Sequence, residues 1–573
     1  MLHDKLNTIE RWVFDGLAVI LVVFYSYSAL LQPAATQYHR GIYIIITYIL
    51  VFLLYRSPGF LGRVLDYILI AASVISIGYW ILNFEQINYR AGLETELDKA
   101  IAMIGVLIGI EVARRVVGFV FVIIGIVMLL YGVYGAHAPD LIAHAGDTFP
   151  DLATSIFYKS DGVFGIMANV LATYIVLFVI FGAFLEKSGA QRFFIDLPLA
   201  AVGHKIGGPG KVSVIASGLF GSISGSAIAN TVSTGAFTIP MMKRAGFPAH
   251  VAGGIEPAAS IGGMFMPPIM GAGGFIMAEL TGVAYSEIML VALFPAFMYF
   301  FSVFVMVHYE AKRKNIVGER SEHSAMDILK REWFYILPLA VITVFMLSGY
   351  SPGYSAILGI IACIAVSWVR RETRIDLKGL VDASRAGAES SLKIGATVGV
   401  IGIIIGVLTY SGLVLTFADI VIELADGNVF LTILLIALAS LVLGMGVPVT
   451  AAYLITAVVA VPALTHLGVN VIAAHMIVYW LSQDSNITPP VCIAAFAGAT
   501  IAKANMWKTA ITSFKFAKFL YLGPFLFGYV PAFSLNGSTT DIAVTFVLIL
   551  FGTWAYSWFL SGIWLDWFKR SGS

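Results

Sequence analysis

The stretch "GSISGSAIANT", residues 221–231, sets glycines, serine hydroxyls and the Asn230 amide in the middle of an otherwise apolar run. In a bilayer such a segment has to satisfy its backbone within the protein, because hydrocarbon offers no partner to a free N–H or C=O. Its flanks narrow the choice. Segment 212–243 begins beside Lys211 and ends beside Lys243 and Arg244, two basic and therefore same-sided ends, yet it is too short for two crossings of about 20 residues each. A re-entrant hairpin entering from the cytoplasm meets both conditions. Segment 430–465 reads the same way, with "GMGVPVTAAY" (444–453) at its middle and the outward loops "ELADGN" (423–428) and "HLGVN" (466–470) at its ends.

The rest of the chain supplies the bilayer. Of 573 residues 59% are hydrophobic and 12% charged, about half the charge of a soluble domain, and mean hydropathy is +0.91. Apolar runs long enough to cross recur throughout, as in 164–185 and 540–560, without the alternating segments of a β-barrel. The fold class is all-α and polytopic. The apolar stretch 13–31 lacks a small-residue cleavage site and reads as a retained first span. Lys+Arg (34) and Asp+Glu (33) nearly cancel, which gives no reason to expect nucleic acid as a partner. Cys363 and Cys492 lie in apolar runs without ligand spacing, so neither a disulfide nor a metal cluster is expected.

Charge placement orients the chain. Arg56, Arg63, Arg114, Arg115, Lys187, Arg192, Lys205 and Lys211, with the basic loops 312–331 and 370–378, mark cytoplasmic ends. The acidic loops 85–98 and 136–161 belong outside. About five spans precede residue 136 and about nine follow, with Lys569 and Arg570 returning the C-terminus to the cytoplasm, where the N-terminus also lies. The organisation is a helical N-terminal membrane domain (1–135), a periplasmic linker (136–161) and a larger membrane domain (162–573).

The larger domain repeats itself. Residues 164–280 lie over 387–502 at an offset of about 222: "SGA" (188–190) faces "SGL" (411–413), "GSAIAN" (225–230) faces "GVPVTA" (446–451), and "MFMPPIMGAGGFI" (264–276) faces "NITPPVCIAAFAG" (486–498). Repeat one spans about 162–307 and repeat two about 384–535. Five crossings between equivalent points invert the second copy, and paired broken helices in inverted repeats point to a midplane site in a secondary transporter.

Hairpin tips and helix breaks leave free carbonyls and N–H groups. Carbonyls and hydroxyls suit a small hard cation, and helix N-termini suit an anion. One cation site is expected per repeat, tip against break. The first draws on Ser224, Ser226 and Asn230 with Gly263 and Pro267, and the second on Gly446, Pro448 and Thr450 with Asn486 and Thr488. Thr488 is expected to N-cap a half-helix starting at Pro489. Ser222, Ser226, Thr450, Gln483 and Asp484 are the candidate substrate contacts, and Asp484 is also a candidate proton carrier. Glu256, at the start of the first broken helix, is a second candidate for either role, or a solvated group near the cytoplasmic face. Lys393 reads as a carboxylate attractor or a snorkelling residue, Glu111 with Arg114 and Arg115 as an interfacial cluster. Trp12, Trp80, Trp333 and Trp558 read as interface anchors.

Over 225–279, "GMGVPVTAAYL" (444–454) and "SQDSNITPPVCIAAFAGA" (482–499), the chain resembles the permease of tripartite ATP-independent periplasmic (TRAP) transporters, in the fused form associated with TAXI-type binding proteins. The resemblance implies an elevator carrier in the bacterial inner membrane. A transport domain holding both hairpins would slide against a scaffold, taking organic acids from a periplasmic TAXI-type protein. It further implies that sodium drives uptake, with protons as an alternative, and that no cofactor is needed.

Other classes fit less well. "GGPGKVS" (207–213) lacks the first glycine of a phosphate loop and the hydroxyl after Lys211, so ATP does not drive the protein. An intramembrane enzyme would need a base near a tip serine, and His475 is the main candidate. A channel could also use re-entrant loops, but would conduct without coupling to a gradient.

Overall fold

In a computed structural model the structure describes residues 2–564, so Lys569 and Arg570 lie outside the described residues. The described residues fold as helices joined by turns and loops, with no strand and a single isolated bridge, between Ile206 and Val317. Nine helices among the described residues are long and apolar enough to cross a membrane. Four lie in the N-terminal part: Thr8–Leu30, Thr36–Leu54, Gly59–Leu82 and Phe119–His137. A fifth N-terminal helix, Glu96–Val116, has the length but carries charge at both ends.

Those charges sort to opposite ends. Glu10 takes Arg56 and Arg63, and Asp66 takes Arg63 and Arg115 (3.2 and 2.6 Å). Arg115 also reaches Glu111 at 2.7 Å, so the basic ends of four N-terminal helices meet in one cluster. At the opposite end, Lys99 pairs with Asp151 at 2.8 Å and the Tyr158 hydroxyl donates to the Asp98 carbonyl, which joins the two acidic loops.

Lys393 is exposed, as a snorkelling side chain is. Trp12, Trp333 and Trp558 are 76%, 54% and 40% exposed, but Trp80 is buried. Its ring stacks on Phe164 with centroids 3.6 Å apart. Trp80 is therefore a packing residue between the N-terminal part and the start of the larger domain, not an anchor.

The two repeats share one element order at the offset read from the sequence. Gly208–Ser224 and Ala227–Arg244 form the first hairpin, Val429–Leu443 and Val449–His466 the second. Ala249–Gly262 and Gly271–Thr281 form the first broken helix, Val471–Ser482 and Ile493–Ala502 the second. The halves interlock reciprocally: Ala227–Arg244 packs on Ile493–Ala502, and Val449–His466 on Gly271–Thr281. At 1.5 Å per residue an 18-residue arm is about 27 Å long, more than an arm ending at the midplane of a roughly 30 Å hydrocarbon layer requires.

Candidate functional site

The first hairpin turns within two residues. Gly225 has φ +63°, a conformation that costs a residue with a Cβ about 1–2 kcal/mol. Ser226 follows as N-cap, its hydroxyl accepting from the Ala229 N–H at 3.2 Å. Four small residues then let the tip region close on the break: a Cβ on Gly263 would fall 2.5 Å from the Gly221 Cα, and Gly225 lies against Gly271.

Both breaks have the same construction. The Pro267–Pro268 and Pro489–Pro490 bonds are cis, and three residues after each first proline stands a residue with positive φ, Met270 (54°) and Cys492 (32°). The second half-helices therefore begin at Gly271 and Ile493. This corrects the expectation for Thr488: it caps nothing, because the helix starts five residues later, and its hydroxyl instead pairs with the Tyr521 hydroxyl.

At the first break Asn230 is fully buried. Its amide donates to the Ser217 carbonyl at 3.0 Å, and its Oδ1 has no partner. A buried oxygen without a donor is the fit expected of a ligand to a small cation. Ser222 turns back to the Leu219 carbonyl (2.8 Å), Ser224 reaches the Ser226 carbonyl at 3.5 Å, and Pro267 is partly exposed.

The second site is built differently. Gly444 lies against the break, where an added Cβ would stand 2.5 Å from the Ser485 Cβ, but Gly446 lies against the Val120 side chain of the N-terminal part. Thr450 is buried and Pro448 partly so. Asn486 donates to the Gln483 carbonyl and to its Oε1 (3.2 and 3.4 Å), while Asp484 Oδ1 and Gln483 Nε2 are buried without partners.

Sequence reasoning missed the tyrosines. The Tyr479 hydroxyl, from the second broken helix, lies 2.8 and 2.7 Å from the Met264 and Met270 carbonyls of the first. Tyr285 does the same for the Pro268 and Ile269 carbonyls (2.9 and 2.5 Å). Aromatic residues in apolar runs carry no mark of which carbonyl they serve. Glu256, which the sequence leaves as a substrate contact, a proton carrier or a solvated group near the cytoplasmic face, is fully buried, and hydroxyls on both arms of the first hairpin surround it. His475 bonds the Tyr453 hydroxyl at 2.9 Å, a packed and satisfied pair.

Residues 104–533 match the family described as "Tripartite ATP-independent periplasmic transporter, DctM component". A putative TRAP transporter large permease protein of Haemophilus influenzae is 26% identical over 395 residues, 68% of this chain and 87% of that protein. The C4-dicarboxylate TRAP transporter large permease protein DctM of Pseudomonas aeruginosa is 24% identical, over 70% of this chain and 91% of its own. The sialic acid TRAP transporter large permease protein SiaM of Vibrio cholerae is 22% identical, over 60% and 80%. The chain belongs to the DctM-component family of tripartite ATP-independent periplasmic transporters, as a multi-pass membrane permease and not an enzyme.

Proposed function

We propose that the chain is the fused permease of a tripartite secondary transporter of the bacterial inner membrane, importing carboxylates that a periplasmic TAXI-type binding protein delivers. Residues 1–135 take the place of the small subunit and, with both termini in the cytoplasm, extend the scaffold. The hairpins enter the bilayer without crossing it, and with the broken helices they form an elevator-type transport domain.

The observation that carries this reading is the contact of each hairpin with a diproline break, with unpartnered buried oxygens alongside. Sodium is the coupling ion. Ser224, Ser226, Asn230, Gly263 and Pro267 supply oxygens at one site, and Gly446, Pro448, Thr450, Asn486 and Thr488 at the other. Ser222, Ser226, Thr450 and Gln483 face the cargo. Carboxylate cargo follows from the relatives, whose names give C4-dicarboxylates and sialic acid as theirs. Asp484, buried with Oδ1 unpaired, supports a second reading in which it touches cargo or carries a proton, which would drive uptake in place of sodium.

Uptake of labelled succinate and sialic acid into proteoliposomes, with and without the cognate binding protein, tests the proposal. An inward sodium gradient is expected to drive uptake only when the partner is present. Uptake indifferent to sodium and proton gradients alike would refute gradient coupling, and full uptake without the partner would refute the tripartite reading.

A further inference from the structure

Glu256 stands apart from both proposed cation sites. It is fully buried, on Ala249–Gly262, and both arms of the first hairpin reach it. Ser213 and Thr238 contact its Oε2, and Ser217 and Thr234 contact Oε1, where Ser260 also comes within 3.5 Å. Among the described residues no cation pairs with it. On the packed elements, Lys211 faces His308 at 3.1 Å, the Lys243 amine donates to the Ala502 carbonyl, and the Tyr299 hydroxyl donates to the Ala258 carbonyl. Arg244, His250, Lys508 and Lys515 make no hydrogen bond or ion pair with Glu256, and Ile493–Ala502 carries no ionisable group.

The cage holds more close contacts than its hydroxyls have hydrogens. Thr234 also bonds the Asn230 carbonyl at 2.7 Å and the Ser217 hydroxyl at 3.0 Å, and Thr238 bonds the Thr234 carbonyl at 3.1 Å. Each hydroxyl owns one hydrogen. When the threonines donate to the backbone, their oxygens face the carboxylate without a proton between, and a hydrogen on Glu256 fills one of these two gaps. An ionised carboxylate buried without a cation is also costly.

We propose that Glu256 is a proton-binding site. Its carboxylate takes a proton from water when the hairpin loosens, holds it while caged, and returns it to water on release. Two hydrogen bonds link the cage to the first proposed cation site without sharing a ligand: Asn230 donates to the Ser217 carbonyl, and Thr234 donates to that of Asn230. A part in transport rests on the permease reading above; proton binding does not.

Infrared difference spectra of the purified full chain in proteoliposomes, titrated from alkaline to acidic buffer without substrate or partner, test the claim. A distinct protonated-carboxyl band, resolved from those of the other Asp and Glu side chains, is expected to rise on acidification, to be lost in Glu256→Gln and to remain in Asp484→Asn. Added sodium at fixed pH is expected to leave it unchanged. Removing the serine donors in Ser213→Ala/Ser217→Ala takes away two hydrogen bonds to the carboxyl, so the band is expected to shift in frequency. This second variant decides the matter if Glu256→Gln fails to fold. A band that never changes with pH, one that survives in Glu256→Gln, one bleached by sodium, or one unmoved in the double variant would overturn the proposal. Failed uptake with this band intact would instead count against the transport reading.

Discussion

Asn230 divides its amide: the nitrogen ties the hairpin arms together, and Oδ1 is buried without a partner, as the proposed cation site requires. Asn230→Ala is expected to raise the sodium concentration for half-maximal uptake about tenfold, the effect of losing an interaction of about 1.4 kcal/mol with a charged partner. Asn230→Asp keeps the oxygen and should be affected less. Unchanged sodium dependence in the alanine variant would remove Asn230 from the site. Tyr479→Phe strips a donor from two carbonyls of the other repeat and is expected to destabilise by about 1–3 kcal/mol, read as a lowered unfolding midpoint in detergent. At this scale the sequence was only partly legible. Asn230 stood out as an amide in an apolar run, whereas the role of Thr488 did not follow, because where a half-helix starts depends on backbone geometry that Pro-Pro alone does not specify.

The helix hairpins and breaks were the most legible elements. Glycine and proline punctuate apolar runs visibly, and an offset near 222 recurs in the two diprolines and the two positive-φ residues. What sequence could not give was which small residues meet. Gly221 with Gly263, and Gly444 with Ser485, make equivalent close contacts in the two repeats. Gly263→Ala would drive a Cβ into backbone, and overpacking of this kind costs about 1–3 kcal/mol. It is expected to lower both the unfolding midpoint and sodium-dependent uptake. Gly78→Ala, in a helix where an added Cβ meets nothing within 4 Å, serves as the control and is expected to be neutral or slightly stabilising. Equal behaviour of the two variants would mean the tip does not have to close on the break.

For the molecule as a whole, the N-terminal part is fastened to the chain at 377–411. Arg385 holds Asp15 with two contacts of 2.6 Å, and Gly109 meets Gly399 backbone to backbone. None of this was legible, since no charge pattern in one sequence matches Asp15 to Arg385. The family match begins at residue 104, inside the helix Glu96–Val116. The second hairpin tip meets the same N-terminal part at Val120, a contact between the two bodies that an elevator would have to break on every cycle.

That contact offers the most direct test. Cys363 and Cys492 are buried, so cysteine pairs can be introduced and crosslinked selectively. Sodium-driven uptake is to be measured after complete crosslinking of Val120→Cys with Met445→Cys, the exposed neighbour of Gly446 at this contact, by a short bifunctional methanethiosulfonate. The comparison is Gly125→Cys with Val400→Cys, whose Cβ atoms would stand 3.8 Å apart, within the disulfide range. If the hairpins move against a fixed N-terminal scaffold, the first pair abolishes uptake until reductant is added and the second leaves it intact. Undiminished uptake with the first pair fully crosslinked would contradict the account.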